Sequence, residues 1–260
     1  TDDEDEKARL ENQLELFRGI RVFDKPRRDY NALQFTMSRR FSKNFYVQGS
    51  YTYSKTQGNY PGLVSYDNGQ IDPNISSQYD LIELLSNRYG PLNQDRPHYI
   101  KLDGYYKFDL KKAGEITIGT RLRALSGVPR QAQAGHWLYG PGEAFLLPRG
   151  TIGRTQFETG IDLHVGYAKK LAKNMELEVF ADLFNLVNDQ GVAGVDDTYS
   201  FQSSANPVSG GSYEDLIFAK EVDEGSGFET PEPIKRNPNY GNVNARYSPR
   251  SVQFGARLSF

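Results

Sequence analysis

Apolar and polar residues alternate along the chain in about seven segments of about ten residues each. In the first segment, Leu33, Phe35 and Met37 alternate with polar residues such as Gln34 and Thr36. A period of two predicts β-strands with one apolar and one polar face, and about 9 to 11 tilted residues span a bilayer. The segments are Asn31–Phe41, Phe45–Ser54, Ile100–Leu110, Ile116–Ala124, Ile161–Tyr167, Leu177–Leu183 and Ser251–Phe260.

The connections between these segments alternate between short and long. Turns of a few residues follow the first, third and fifth segments, whereas long stretches run at Thr56–Pro97, Gly127–Phe157 and Asp189–Arg250. Loops longer than about 15 residues are uncommon in compact domains, but outer-membrane barrels combine short periplasmic turns with long extracellular loops. The asymmetry favours a transmembrane antiparallel β-barrel, in which the first and last strands both run towards the periplasm.

Charged residues fall on the strand side opposite the apolar residues. A water-filled or plugged barrel lumen tolerates such charges, so we expect them to face the lumen. Aromatic residues near the strand ends favour interfacial girdles on the lipid face, whereas strand propensity in a soluble β-sandwich is the alternative explanation. The expected lumen-facing residues are Lys101, Asp103, Arg121, Arg123, Asp162, His164, Glu178 and Asp182. The expected girdle residues are Tyr51, Tyr53, Phe108, Tyr167 and Phe260.

The amino-acid composition excludes some classes of protein but does not select one. The chain has 260 residues, of which 37% are hydrophobic, and its mean hydropathy is -0.65. It lacks the roughly 18 consecutive apolar residues of a membrane helix, whereas barrel strands average out to a polar composition. A net charge of -2 argues against nucleic-acid binding, and the absence of cysteine excludes disulfides and thiolate chemistry.

Catalytic and metal-binding patterns are weak. The histidines His98, His136 and His164 have no metal-ligand spacing, and the best polar pair, Asp162 with His164, fits lumen lining better than catalysis. The loop segments Asp67–Asp72 and Asp196–Asp197 could supply oxygen ligands to calcium, but their composition is also that of ordinary turns. We therefore expect no enzyme activity, no metal and no cofactor.

Several motifs resemble, in their order and spacing, the C-terminal third of a TonB-dependent transporter. The similarity is greatest to the Oar-like group, which carries an N-terminal carboxypeptidase-regulatory-like domain. It covers the chain from about Arg27 to Phe260. The motifs are Arg28–Leu33, Arg40–Ser42, Gly49–Lys55, Asp95–His98, Ser126–Pro129, Pro148–Gly150, Asp182–Asn188 and Pro249–Phe260.

The resemblance implies a location in the bacterial outer membrane and a plugged barrel of about 22 strands, to which this chain contributes about seven C-terminal strands. Residues 1–27 would be the remnant of an extracellular loop, and residues 28–260 the C-terminal part of the barrel. The implied partners are the N-terminal plug and barrel fragment of the same protein, TonB acting through that fragment, the lipid bilayer with its lipopolysaccharide, and an unidentified substrate. Phe254, Leu258 and Phe260 resemble the C-terminal signal that the outer-membrane insertion machinery reads.

Three questions stay open at the level of sequence. The function could be that of an energised transporter or, alternatively, of an outer-membrane adhesin or protein-export barrel. A soluble all-β binding module is the third possible function. An odd number of strands is expected to leave the sheet open, since single-chain bacterial barrels have even counts. The segment Leu14–Phe23 alternates poorly, but it could supply an eighth strand that closes a small barrel.

Overall fold

The computed structural model describes residues 4, 6–8, 10–11, 23–62, 64, 67, 77–203, 205–221 and 232–260. Among these residues, no helix is long and apolar enough to cross a membrane. Short 3₁₀ helices occur at Ser77–Tyr79, Ile82–Leu85, Lys111–Ala113 and Tyr213–Phe218. Residues 4, 6–8 and 10–11 are α-helical. The other extended regular structure of the described part is β-sheet, and the predicted all-β class is confirmed.

Seven long strands form one antiparallel sheet that contains the predicted segments. The strands of the described part are β1 (Arg28–Ser42), β2 (Phe45–Gly58), β3 (Gly90–Pro91), β4 (His98–Asp109), β5 (Glu115–Leu125), β6 (Gln133–His136), β7 (Gly140–Phe145), β8 (Glu158–Ala172), β9 (Met175–Phe184), β10 (Val192–Val195), β11 (Val243–Arg246) and β12 (Ser251–Ser259). The main sheet has the order β1-β2-β4-β5-β8-β9-β12, and the two-residue β3 pairs with β2. The strand pairs β6-β7 and β10-β11 form separate two-stranded sheets within the long loops.

Short turns connect the long strands at one end of the sheet. Between β1 and β2, Lys43 and Asn44 both have positive φ, 53° and 64°. Two positive φ angles are typical of a type I′ turn, whose twist matches that of a β-hairpin. Lys111–Ala113 joins β4 to β5, and a turn at Lys173 and Asn174 joins β8 to β9.

The register keeps apolar residues on one face across the sheet. Partners in this apolar row are Phe45, Tyr106, Ile118, Val165, Ala181 and Phe254, taken in order from β2 to β12. Directly opposed residues in antiparallel strands project from the same face. A shift of one residue in any pair would have broken the row, so the alternation along each strand and the register between strands agree.

The sheet is open at both edges in the described part of the chain. There, β1 pairs with β2 alone and β12 with β9 alone, and β1 does not pair with β12. The expectation that these strands leave an unclosed sheet is confirmed. Apart from Phe23, the segment considered as a closing strand, Leu14–Phe23, lies outside the described residues.

The three long connections pack together into a layer of their own, which we call the loop layer (described residues of 59–97, 126–157 and 185–250). Main-chain hydrogen bonds join its segments: Val208 donates to Leu146 over 2.8 Å, and Tyr199 donates to Gln133 over 2.7 Å. Its core consists of Ala132, Ala134, Leu146, Leu147, Tyr199, Leu216, Ala219, Ile234 and Tyr240. The sequence predicted long loops but gave no indication of this core.

The buried apolar residues lie almost entirely outside the main sheet. Among the described residues, the seven long strands contribute only Ala124 to this set, whereas Phe35 and Phe254 of β1 and β12 are 60% and 80% exposed. A water-soluble sandwich would bury the apolar side of its sheet against a second layer. The sheet therefore presents an uncovered apolar face, as a membrane wall does.

Buried ion pairs reinforce the loop layer. Arg88 contacts Glu143 at 3.1 Å, and both nitrogens of the Arg149 fork bond Asp67 at 2.7 Å. Both guanidinium groups lie over the ring of Phe145. Burial lowers the pKa of Arg88, and the neighbouring Glu143 carboxylate opposes that shift. Because an unpaired buried charge costs about 3 to 5 kcal/mol, these pairs specify how the loops meet.

Candidate functional site

The face of the main sheet opposite the apolar row carries the candidate residues, and we call it the polar face. The register pairs Lys101 with Arg123, Asp103 with Arg121, Arg121 with Asp162, and His164 with Asp182. Glu178 shares this face through the row Glu115, Ala168, Glu178 and Arg257. All eight residues that the sequence singled out therefore lie on one face of β4, β5, β8 and β9.

Asp103 is the centre of the charge cluster on this face. Its two carboxylate oxygens each accept a hydrogen bond from Nη2 of Arg123 at 3.0 Å, and Nε of Arg121 lies 3.5 Å from Oδ1. The cross-strand spacing of an antiparallel pair, about 4.5 to 5.5 Å between Cβ atoms, brings these side chains within reach. Because the groups remain partly exposed, each pair stabilises the fold by less than about 1 kcal/mol. Arg121 keeps most of its surface available for contact with other molecules.

His164 pairs with Asp182 on the neighbouring strand and not with Asp162, which the sequence suggested. Nδ1 of His164 lies 2.6 Å from Oδ1 of Asp182, whereas Oδ1 of Asp162 accepts the main-chain N–H of Asn185 at 3.0 Å. Residues i and i+2 on one strand are separated by about 6.5 Å, which is farther than a direct cross-strand pair. Asp162 and His164, which lie on the same strand, thus have separate partners.

Charge pairs also lie towards the end of the sheet that carries the short turns. Lys107 of β4 contacts Glu115 of β5 at 2.6 Å, and Arg257 of β12 lies 3.5 Å from Glu178 of β9. Several acidic and basic groups on the polar face are thus paired between neighbouring strands, although Lys101 directly opposes Arg123. Such a surface can contact water, and it has no strong electrostatic potential of a single sign.

A β-bulge brings Phe41 onto the polar face, where the alternation did not predict it, beside Tyr46 and Tyr105. The register of β1 and β2 shifts between Arg39 and Ser42. Phe41 consequently stacks on Tyr105 with ring centroids 5.8 Å apart, and Tyr105 stacks on Tyr46 at 5.3 Å. A bulge adds one residue to one strand, so it reverses the face of the residues beyond it.

Gly255 on β12 provides room for the ring of Phe180. A Cβ atom at position 255 would lie 2.3 Å from Cζ of Phe180, too close for the ring to keep its place. Phe180 in turn lies 5.7 Å from the His164 ring, measured between centroids. The small residue on the edge strand therefore lets an aromatic side chain lie across the polar face.

We expect Gly255→Ala to destabilise the barrel by about 1 to 3 kcal/mol, as overpacking does. The measurement is urea unfolding of the protein in lipid vesicles. Gly160→Ala on β8 is the matched control, because a Cβ atom there would meet no atom within 4 Å. Adding Phe180→Ala should reduce the cost of Gly255→Ala; equal destabilisation by the two glycine variants would contradict this packing.

The three residues expected to signal assembly lie at the chain end on and beyond β12. Phe254 and Leu258 oppose Ala181 and Leu177 and so project from the apolar face, and Phe260 follows the last residue of the strand. All three side chains are exposed, Phe260 by 98%. Their arrangement gives an accessible apolar edge.

The oxygen-rich loop segments have partners within the protein. Oδ1 and Oδ2 of Asp196 accept the Thr198 main-chain N–H and the Asn237 side-chain amide. Asp197 accepts from Arg130 and from the main chain of Gln131. Of the segment 67–72, only Asp67 lies within the described residues. No group of three or more His, Cys, Asp or Glu side chains placed to hold a metal occurs among the described residues.

Comparison with known proteins agrees with this architecture. Residues 17–128 match the model of the outer membrane beta barrel domain family. Over 244 residues the chain is 38% identical to the TonB-dependent transporter Oar of Myxococcus xanthus; the match covers 92% of this chain but 23% of that protein, within its C-terminal part. No solved structure matches the chain. The chain is therefore an outer-membrane β-barrel segment that is similar to the C-terminal part of a TonB-dependent transporter.

Proposed function

We propose that this chain forms part of the barrel wall of a transporter that moves a substrate across the outer membrane with energy supplied through TonB. The observation that carries the proposal is the contrast between the uncovered apolar face of the sheet and its matched charges on the polar face. The apolar face contacts the lipid bilayer and its lipopolysaccharide. The polar face lines a lumen filled by water or by a plug. The chain performs transport and not catalysis.

The remaining components lie in other parts of the parent protein. We infer that the open edges β1 and β12 pair with strands of the N-terminal barrel fragment, and that a plug in the same fragment contacts the polar face. Coupling to TonB passes through that fragment. The partly exposed Arg121 and Arg123 on the polar face suit contacts with acidic groups of a plug or a passing substrate.

The transport proposal is tested by comparing three bacterial strains: the wild type, one lacking residues 28–260 of this protein, and one lacking TonB. Solutes and proteins are quantified in the medium and in the periplasm. We expect at least one compound to change its distribution in the same direction in both deletion strains. If the two deletions share no such compound, energised transport is rejected. Loss of cell attachment with an unchanged distribution of all compounds would instead support an adhesin.

Deleting Phe260 is expected to reduce the membrane-embedded, heat-modifiable transporter to a small fraction of its normal amount. The exposed aromatic end of the apolar edge then no longer meets the insertion machinery. Immunoblots of unheated and heated outer membranes measure the effect. Phe260→Trp keeps an aromatic group and should assemble normally. Normal amounts of folded protein without Phe260 would show that it serves only as an interfacial aromatic residue.

A further inference from the structure

The end of the main sheet that carries the short turns is strongly basic. Each of the three turn segments, residues 39–44, 107–115 and 169–176, contains three lysine or arginine residues. The same segments contain three acidic residues, Asp109, Glu115 and Glu176, whereas the chain as a whole has a net charge of -2. We call the nine lysine and arginine residues of these segments the basic rim.

The three turn segments lie side by side in the structure. The main-chain N–H of Lys107 donates to the carbonyl oxygen of Asn44 at 2.8 Å, which joins the first turn segment to the second. The hydroxyl of Tyr167, on the strand that leads into the third turn, donates to the carbonyl oxygen of Ala113 in the second. The charges of the basic rim therefore act together along one end of the sheet.

Ion pairs neutralise little of this charge. Among the residues that the structure describes, Lys107 is the only member of the basic rim with an ion-pair partner, Glu115 at 2.6 Å. The other eight side chains are all exposed. Oδ1 of Asp109 accepts the main-chain N–H of Lys111 and so already has a partner within its own turn. The basic rim thus keeps a positive charge that is available to a group outside the chain.

Two members of the basic rim project from the apolar face of the sheet. Arg39 opposes Val47, and Lys169 opposes Leu177, so both share the face of the apolar row. The guanidinium of Arg39 lies over the ring of Phe45, 5.1 Å from its centroid. All three acidic residues of the turn segments project from the polar face instead, because they alternate with apolar neighbours along their strands. At this end, the side of the sheet that meets lipid is therefore purely basic.

Anionic phospholipids have the chemistry that fits this arrangement. A lysine or arginine at the end of a lipid-facing strand extends its charge to the headgroups, while its aliphatic stem stays against hydrocarbon. Both cations bind phosphate, arginine as a fork and lysine as a point charge. A soluble acidic protein reaches the turns but not Arg39 or Lys169, because lipid surrounds the apolar face. Lipopolysaccharide occupies the opposite leaflet, on the side of the long loops.

We propose that the basic rim binds the headgroups of anionic phospholipids in the periplasmic leaflet of the outer membrane, with Arg39 and Lys169 in direct contact with lipid phosphates. The rim should retain phosphatidylglycerol in preference to phosphatidylethanolamine, which carries the same phosphate but no net charge. The inference goes beyond the proposed function, since it requires contact between the apolar face and lipid but no transport.

The test uses the whole protein, folded in vesicles of phosphatidylethanolamine and phosphatidylglycerol. One of the two lipids at a time carries a photoactivatable group on its acyl chain next to the glycerol, and crosslinked peptides are quantified by mass spectrometry. We expect peptides from residues 35–47 and 163–177 to favour phosphatidylglycerol by at least about five-fold, because each cation near an anionic surface contributes about that factor. Raising the salt concentration should reduce this preference.

Single substitutions locate the contact. Lys169→Gln should lower the preference at the end of β8 by about five-fold, and Arg39→Gln should do the same at the end of β1. Lys170→Gln is the matched control, since it removes the same charge one residue away, but Lys170 opposes Glu176 on the polar face. It should change the preference little. The heat-modifiable band of each variant shows whether it has folded, and the salt dependence of the wild type needs no variant.

Equal labelling of the basic rim by the two lipids in the wild type would overturn the proposal, as would equal effects of Lys169→Gln and Lys170→Gln. Stronger labelling by a photoactivatable lipid A than by phosphatidylglycerol would reassign the rim to lipopolysaccharide. Equal labelling by the two phospholipids, together with retention of polyglutamate that depends on Lys43 and Lys112, would replace the lipid by an acidic protein.

The outcomes also separate this inference from the proposed function. Labelling of the rim segments by neither phospholipid would contradict the lipid contact of the apolar face itself. Equal labelling by both would remove the preference and leave that contact in place. The measurement involves neither TonB nor a substrate, so the lipid preference can fail while the strain comparison still supports transport, and the reverse.

Discussion

Arginine in place of Ile118 is expected to destabilise the assembled barrel by about 2 to 4 kcal/mol, and arginine in place of Leu163 should have a similar effect. Both residues belong to the apolar face: Ile118 opposes Val165, and Leu163 opposes Leu183. Near the bilayer midplane a guanidinium on this face must leave water, and hydrocarbon offers it no partner. The free energy of unfolding of the protein in lipid vesicles, measured with urea, gives the size of the effect.

Thr117 provides the matched control, because it is the neighbour of Ile118 on β5 and lies at nearly the same depth. Thr117 opposes Lys107 and Ser50 opposes Lys101, so both project from the polar face. Arginine at either position should cost much less than at Ile118 or Leu163. Equal losses at the two sets of positions, or a reversed order, would show that the faces are assigned wrongly.

The second large effect is expected when this chain is expressed alone, without the N-terminal fragment proposed above. A sheet with two open edges in hydrocarbon leaves main-chain N–H and C=O groups unpaired, at several kcal/mol for each group. The chain alone should therefore give no protease-resistant, heat-modifiable band in the outer membrane. Expression together with the N-terminal fragment should restore such a band, held without disulfides because the chain has no cysteine.

A cysteine pair tests the alternative that the sheet closes on itself. Phe35 lies on β1 and Phe254 on β12, so cysteines at these positions approach one another only if the two edges meet. We expect no disulfide between them in the chain expressed alone. A Phe35→Cys, Phe254→Cys crosslink in a folded, membrane-embedded chain would mean that the barrel is small and complete without the fragment.

The strands were predictable because a period of two is visible along each segment. The predicted segment Ile161–Tyr167 is the centre of β8, which extends to Glu158 and Ala172. At the end towards Ala172 both faces carry polar residues such as Lys169 and Lys170. The alternation of apolar and polar residues is therefore lost there, although the strand remains paired with β9. The bulge before Ser42, which moves Phe41 to the polar face, leaves no signal in a pattern of strict alternation.

The loop layer could not be predicted from the sequence, for a different reason. Its core joins Ala132, Leu147 and Tyr240, which come from distant parts of two connections and follow no period. Parity alone places the eight polar-face residues on one side of the sheet, and that this side faces a lumen stays a prediction. The contact between His164 and Asp182 could not be predicted, because it depends on a register between strands that the sequence leaves open.

The central claim, that one face of the sheet meets lipid and the other a watery lumen, is tested most directly by cysteine scanning of β8. This chain has no native cysteine, so single cysteines from position 158 to position 172 can each carry a nitroxide label once any cysteine elsewhere in the protein has been replaced by serine. Accessibility to oxygen, which dissolves in lipid, is compared with accessibility to a water-soluble nickel chelate. The account predicts a period of two, with oxygen favoured at Ile161, Leu163 and Val165 and the contrast reversed or lost at Asp162, His164 and Gly166. Uniform accessibility to the nickel chelate along both faces would contradict it.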